Sequence, residues 1–294
     1  MTGHPEPPHL RPPVRDGRRP RLKPPPGACD THFHIYEPDI PLEPGRRYTP
    51  VAAGLADYRA VARRLGLERG VVITGSAMTS NEPALAAIAA MKGAFKGLAL
   101  IKPDIPDSEL RRLAEGGMTG FRISTRSVGG LGPDHLLALA DRVRELGWHV
   151  EIHLRDVDEV IELMPLLRRL PVPFSIDHCA YLAPGRGPGT PAFEAVHDLL
   201  VSVEDAYVNL YSLYNLSQSG PPHYADMADT IGALIAARPD RLLWGSNWPH
   251  PTFEVPVPDE ADLLDVLLEA APDEAHRHLV LSENPARLYG WEVA

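Results

Sequence analysis

Asp30-Thr31-His32-Phe33-His34 sets two imidazoles and a carboxylate at alternate positions of one short run. In a strand, residues i, i+2 and i+4 share a face, so the spacing predicts that Asp30, His32 and His34 project together. Such a trio suits a metal ion, or acid/base and electrophilic work on a bound molecule. A lone histidine in a strand usually hydrogen-bonds a neighbour and nothing more. The cluster becomes a site only if other segments bring partners to it.

Partners recur at intervals along the chain. Ser76 follows the run Gly70–Gly75, and Arg122 lies near the end of Thr119–Ser124 with Arg126 just beyond. His153 falls in His149–Leu154, Asp177-His178 closes Pro173–His178, and Asn209 and Tyr211 lie in Ala206–Tyr211. The last run, Arg241–Ser246, leads into Asn247-Trp248-Pro249-His250. Paired guanidinium groups such as Arg122 and Arg126 form a natural carboxylate receptor through bidentate hydrogen bonds. For His153 a structural and a binding role stay equally open. Adjacent strand residues face opposite ways, so if His178 points into a site, Asp177 is structural. Cys179 has no base beside it and reads as packing.

The elements that must position these residues alternate in type. The runs above, with Ala28–His34 and Gly97–Ile101, make eight candidate strands rich in Val, Ile and Leu, as expected of parallel strands covered on both faces. Between and after them lie amphipathic stretches at Ala56–Leu67, Glu82–Met91, Asp107–Ala114, Pro133–Leu146, Val157–Leu170, Thr190–Val203, Tyr224–Ala237 and Asp259–Ala270. Eight strand–helix repeats predict an α/β fold, a (β/α)₈ TIM-like barrel. An open doubly wound sheet is the rival, but no Gly-x-Gly-x-x-Gly turn follows any of these strands. In a barrel the strand C-termini gather at one rim, where chemistry sits. The long Pro-rich segment 35–55, which contains Tyr48, is expected to wall the site. A helix over Asp273–Leu281 and the closing Asn284–Tyr289 segment are expected to form a C-terminal helical cover.

Composition narrows the rest. The formal charge is −10 over 294 residues, yet residues 1–27 carry a net +4, leaving −14 on the body. An acidic body is a poor nucleic-acid binder, which points to a small-molecule ligand or a protein partner. Two cysteines make no disulfide framework and suit a cytoplasmic protein. No stretch reaches the 18 or so apolar residues of a membrane span, and no apolar segment follows the N-terminal arginines as in a secretory signal. Residues 1–27 hold nine prolines and few large apolar side chains, so they read as a Pro/Arg-rich arm, disordered or draped over the body or over a second subunit of a homo-oligomer. Residues 28–294 read as a single barrel domain.

Asp30-x-His32-x-His34, Asp177-His178 and Trp244-Gly245-Ser246-Asn247-Trp248-Pro249-His250, in this order, resemble the amidohydrolase superfamily. Within it they are similar to the branch of 2-pyrone-4,6-dicarboxylate lactonase and D-galactarolactone isomerase. The resemblance runs from Gly27 to the Asn284-Pro285-Ala286 close. It implies a distorted barrel acting on small carboxylated lactones. It implies that His32, His34 and His178 polarise the lactone carbonyl without a metal, and that Arg122 and Arg126 hold substrate carboxylates. It also implies substrate contacts at Tyr48 and Ser76. Hydrolytic members carry Asp where this chain has Asn247. Asn accepts no proton at neutral pH and is a poor zinc ligand. The isomerase resembles this chain in having Asn there, and its substrate's own hydroxyl attacks the carbonyl. His250, or one of the cluster histidines, is a candidate replacement base.

The expected activity is therefore hydrolysis of a small carboxylated lactone without a cofactor. The catalytic candidates are His32, His34, His178, Asn247 and His250; the substrate-binding candidates are Tyr48, Ser76, Arg122, Arg126 and His153. Three alternatives stay open: lactone isomerisation, Zn²⁺ held by His32, His34 and His178, and an inactive barrel that binds carboxylates.

Overall fold

A computed structural model describes residues 6–126, 131–251 and 255–293. Eight parallel strands lie in sequence order: β1 Cys29–Phe33, β2 Arg69–Ile73, β3 Phe95–Ala99, β4 Met118–Ser124, β5 His149–His153, β6 Phe174–Ile176, β7 Ala206–Leu210 and β8 Leu242–Trp244. The ring closes just past β8, where the Asn247 N–H donates to the His32 carbonyl at 2.8 Å and the His34 N–H to the Trp248 carbonyl at 2.7 Å. The expected (β/α)₈ barrel is the observed one. Helices α1 Leu55–Leu65, α2 Glu82–Ala90, α3 Asp107–Glu115, α4 Leu136–Val143, α5 Val157–Leu167, α6 Pro191–Ser202, α7 Ala228–Ala237 and α8 Glu260–Ala270 follow the strands in turn. Two more, α9 Glu274–His278 and α10 Asn284–Tyr289, form the C-terminal cover. Tyr289 packs with Cys29, Val71, Leu98 and Leu243 and meets His149 at the first residue of β5. The cover therefore closes the floor, away from the strand C-termini. Among the described residues no helix is long and apolar enough to cross a membrane.

Four expected strands end two residues early or shift by two, among them β2, which stops at Ile73. β3 begins two residues before the expected start at Gly97, β6 stops at Ile176, and β8 stops at Trp244. At the site end the backbone turns left-handed, with φ of 52, 51, 51 and 59° at His178, Cys179, Ala180 and Tyr181. Ser212, Asn247 and His250 follow at 62, 56 and 62°. Each such residue costs roughly 1–2 kcal/mol for a side chain with a Cβ. The strain gathers at one rim of the barrel.

β1 departs from strict alternation. Its pairing with β2 shifts register between Asp30 and Phe33, so Asp30 leaves the face it was expected to share with His32 and His34. Phe33 stacks on Tyr58 of α1 with ring centroids 3.6 Å apart. The Asp30 carboxylate accepts from the same Tyr58 hydroxyl at 2.9 Å, from the Ser246 hydroxyl at 2.5 Å and from the Ser246 N–H at 2.8 Å. Asp30 is thus a buried tie between β1, α1 and the turn after β8, while the two histidines face the lumen.

The N-terminal arm lies on the barrel from residue 6 onward. The Arg18 guanidinium meets Asp262 and Asp265 of α8 at 2.7 Å each, and the Leu22 N–H donates to Asp265 at 2.8 Å. Leu10 and Leu22 are buried.

Replacing Asp30 with Ala leaves the buried Ser246 and Tyr58 donors unmatched, which should cost about 2–4 kcal/mol. Urea unfolding of Asp30→Ala should show a lowered midpoint at an unchanged slope; an unchanged midpoint contradicts the tie.

Candidate active site

The strand C-termini open into a cleft of about 320 Å³, a size suited to one small molecule. His34, Tyr48, Ser76, Arg122, Arg126, His153, His178 and Asn247 all line it. His32 lies fully buried beneath His34, their Nε2 atoms 3.3 Å apart. His250, unlike His32, is not brought even to the layer beneath the cleft. The left-handed residues Asn247 and His250 reverse the chain, so His250 Nε2 pairs with the buried Glu260 of α8 at 3.0 Å. The idea that His250 substitutes as the base therefore fails on position.

Arg122 is the centre of the polar cluster. Its Nε and Nη2 donate to Asp177 Oδ2, and Nε lies 2.9 Å from Glu151 Oε1. An internal carboxylate, Asp177, thus occupies the side chain expected to anchor substrate, with Glu151 beside it. Asn209 donates to Asp177 Oδ1 at 3.1 Å, so Asp177 is held between Arg122 and Asn209. It sits beside His178 rather than opposite it, because β6 has already ended.

Glu151 was not singled out in the sequence, although it precedes His153 by two residues and so shares its face of β5. Its hydrogen bonding fixes where protons sit. His34 Nδ1 faces the Ile73 carbonyl at 2.9 Å, which only accepts, so Nδ1 carries a proton. In a neutral His34, Nε2 then accepts from His32 Nε2–H. That leaves His32 Nδ1 as an acceptor, 3.2 Å from Glu151 Oε2. The contact needs a proton on one of its two partners. Glu151 Oε1 has no hydrogen-bond partner, because Arg122 Nε approaches it out of line. Burial pushes Glu151 up to about 7 against the pull of Arg122, while burial and then Arg122's charge push His32 down to about 3. A proton shared by this pair therefore belongs to Glu151 rather than to His32.

The other imidazoles obey the same field. Burial first, and then the charge of Arg122, hold His153 and His178 well below the usual histidine range. His34 is lowered by burial, by His32 and by Arg122. Four neutral rings surround the cleft floor. His153 Nδ1 lies 2.8 Å from the Ser124 hydroxyl, and the His153 and His178 rings are 5.2 Å apart. The Asn247 amide donates to Ser212 Oγ at 3.1 Å and to the Tyr214 hydroxyl at 2.8 Å.

Further arginines went unnoticed in the sequence. Arg46, Arg47 and Arg155 line the cleft with Arg126. Arg155 pairs with Glu159, whereas Arg46 spends its hydrogen bonds on Thr49 and the Glu43 carbonyl, both uncharged. Arg46-Arg47 precedes Tyr48 directly, inside the segment expected to wall the site, which was the available signal.

Two groups of side chains come close enough together to share a cation. Among the described residues, the groups with ligand atoms within 4.8 Å of one another are His32–Glu151–Asp177 and His153–Asp177–His178. His32, His34 and His178 are not such a group. Both groups depend on Asp177, which Arg122 already holds, and the guanidinium would repel the ion.

The amidohydrolase family model matches residues 29–291. A 4-sulfomuconolactone hydrolase from Hydrogenophaga intermedia is 33% identical over 90% of this chain and 89% of its own length. A 2-pyrone-4,6-dicarboxylate hydrolase from Comamonas testosteroni is 31% identical over 92% of each chain. A D-galactarolactone isomerase from Agrobacterium fabrum is 30% identical over 90% of this chain and 91% of its own.

The Glu151 proton gives a pH signature. A carboxyl raised from 4.5 to about 7 on folding contributes stability below pH 4.5, and that contribution is lost as pH rises through 7. Glu151→Gln keeps a donor for His32 and removes the titration. Unfolding curves measured from pH 4.5 to 8 should show the parent losing stability relative to this variant as pH rises; parallel curves contradict the assignment.

Proposed function

Because the chain belongs to the amidohydrolase family, we propose that it acts on the carbonyl of a small lactone carrying anionic groups. The observation that carries this reading is a floor of neutral imidazoles beneath a mouth bearing Arg46, Arg47 and Arg126. A neutral imidazole N–H aimed at a carbonyl stabilises the oxyanion that forms when a nucleophile adds. The arginines would draw in carboxylate or sulfonate groups and orient the ring, with Tyr48 and Ser76 completing the wall. Arg122, compensated by Asp177, would act through its field and its remaining N–H groups. We read the reaction as metal-independent, since the guanidinium supplies the positive potential at the carbonyl.

We place water first as the nucleophile, giving ring opening. The polarised carbonyl takes up water, the tetrahedral centre collapses, and the ring C–O bond breaks to leave a carboxylate and a hydroxyl. His178, which lines the cleft, would carry the proton from water to the departing ring oxygen. A second reading is favoured by Asn247. Its NH2 donates to Ser212 and Tyr214, its side chain also meets His34, and the amide takes no proton, so the usual Asp-driven activation of water is missing. A hydroxyl of the substrate itself would then attack and migrate the ring.

Proton NMR on 2-pyrone-4,6-dicarboxylate and on five- and six-membered aldarolactones separates ring opening from ring migration. No turnover on the whole panel refutes the proposal. A general base is worth about 10²–10⁴-fold, so Asn247→Asp should raise hydrolysis at least about tenfold. No rise contradicts the role given to Asn247. Activity should survive exhaustive treatment with a chelator; a loss restored by zinc refutes metal independence.

A further inference from the structure

We propose that the N-terminal arm is a positioning element for the substrate cleft, acting through Thr49 on Arg46 and Tyr48. The segment between β1 and α1 carries three cleft residues in succession, Arg46, Arg47 and Tyr48. Its ends are tied to each other, and its middle is tied to the segment between β2 and α2. Tyr36 and Ala53 exchange backbone hydrogen bonds at 2.9 and 2.8 Å, and the Glu43 N–H donates to the Ala77 carbonyl at 2.8 Å. Between these ties, residues 47–52 make two backbone hydrogen bonds among the described residues, and both go to the arm. The Thr49 N–H donates to the Pro8 carbonyl at 2.8 Å, and the Leu10 N–H donates to the Thr49 carbonyl at 2.9 Å.

Thr49 passes this order to the cleft. Its hydroxyl accepts from Arg46 Nε at 3.1 Å and from Nη2 at 2.9 Å. The neighbouring Tyr48 hydroxyl lies 3.2 Å from that of Tyr36. An arginine carries several rotatable bonds, so its value to an anionic ligand depends on whether they are fixed before binding. The arm is built to hold such a grip. Its prolines remove donors and restrict φ, which limits internal structure and lowers the entropy lost on docking. Farther along, Arg18 on Asp262 and Asp265, and the buried Leu22, fasten it to α8 independently of Thr49. The tip can thus be released while the anchor stays.

The test uses full-length variants. Leu10→Pro removes the donor to Thr49 and the buried side chain; Leu10→Ala removes the side chain and keeps the donor. His9→Ala, at an exposed position, serves as control. Amide hydrogen exchange at Thr49 should rise at least about tenfold in Leu10→Pro and stay near the parent in Leu10→Ala and His9→Ala. The dissociation constant for 2-pyrone-4,6-dicarboxylate should rise about three- to tenfold in Leu10→Pro, with kcat on any substrate found changing far less. Unchanged exchange at Thr49 overturns the proposal, and so does raised exchange with unchanged affinity. The affinity arm rests on the lactone reading, but exchange does not. A parent that fails to bind the probe counts against that reading, and exchange then decides whether the arm holds the segment.

Discussion

A guanidinium buried in a barrel lumen must be compensated, and the site is arranged around that requirement. Arg122 takes Asp177 as its ion-pair partner, and Asn209 holds Asp177 from β7. Glu151 is close enough to be a second counter-charge, yet it is out of line, and burial raises its carboxyl to about 7. The pair Arg122–Asp177 is therefore close to neutral, with its positive end toward the cleft. Breaking such a pair by deleting one partner costs roughly 3–5 kcal/mol, because the other charge is left buried alone. Burial first, and then the charge of Arg122, hold the imidazoles of His32, His153 and His178 well below the usual histidine range. Neutral rings can each offer an N–H without adding a charge that would have to be neutralised.

The two-histidine motif is open to more than one kind of electrophile. Two histidines on one strand converge on a point whether the electrophile is an ion or an N–H group. The difference lies in what surrounds them. Here the nearby carboxylates belong to Arg122, and the residue after Ser246 is an amide. The Arg122 guanidinium places a positive charge beside both carboxylates.

Much of this was legible in the chain. The alternation of apolar runs and amphipathic stretches gives the barrel, and the rim rule puts the strand-end residues into one cleft. What escaped depends on local breaks in periodicity. The register shift in β1 turns Asp30 toward Tyr58, and no spacing rule announces it. The left-handed turn beyond Asp177 sets Asp177 and His178 side by side, where strand alternation would part them. His250 was drawn to the site by its place in sequence and removed from it by the φ of 62° at that residue. Glu151 was within reach of the same i, i+2 argument that picked out His32 and His34. The arginines of the β1–α1 segment depend on a tertiary contact with the arm that composition alone does not show.

The central claim is that the cleft floor is a set of neutral imidazoles with defined tautomers. Nitrogen-15 NMR of the histidine rings at pH 7 tests it directly. The account predicts that His32, His34, His153 and His178 are all uncharged, with the His34 proton on Nδ1 and the His32 proton on Nε2. An imidazolium signal from any of the four, or the opposite tautomer at His34, would contradict it.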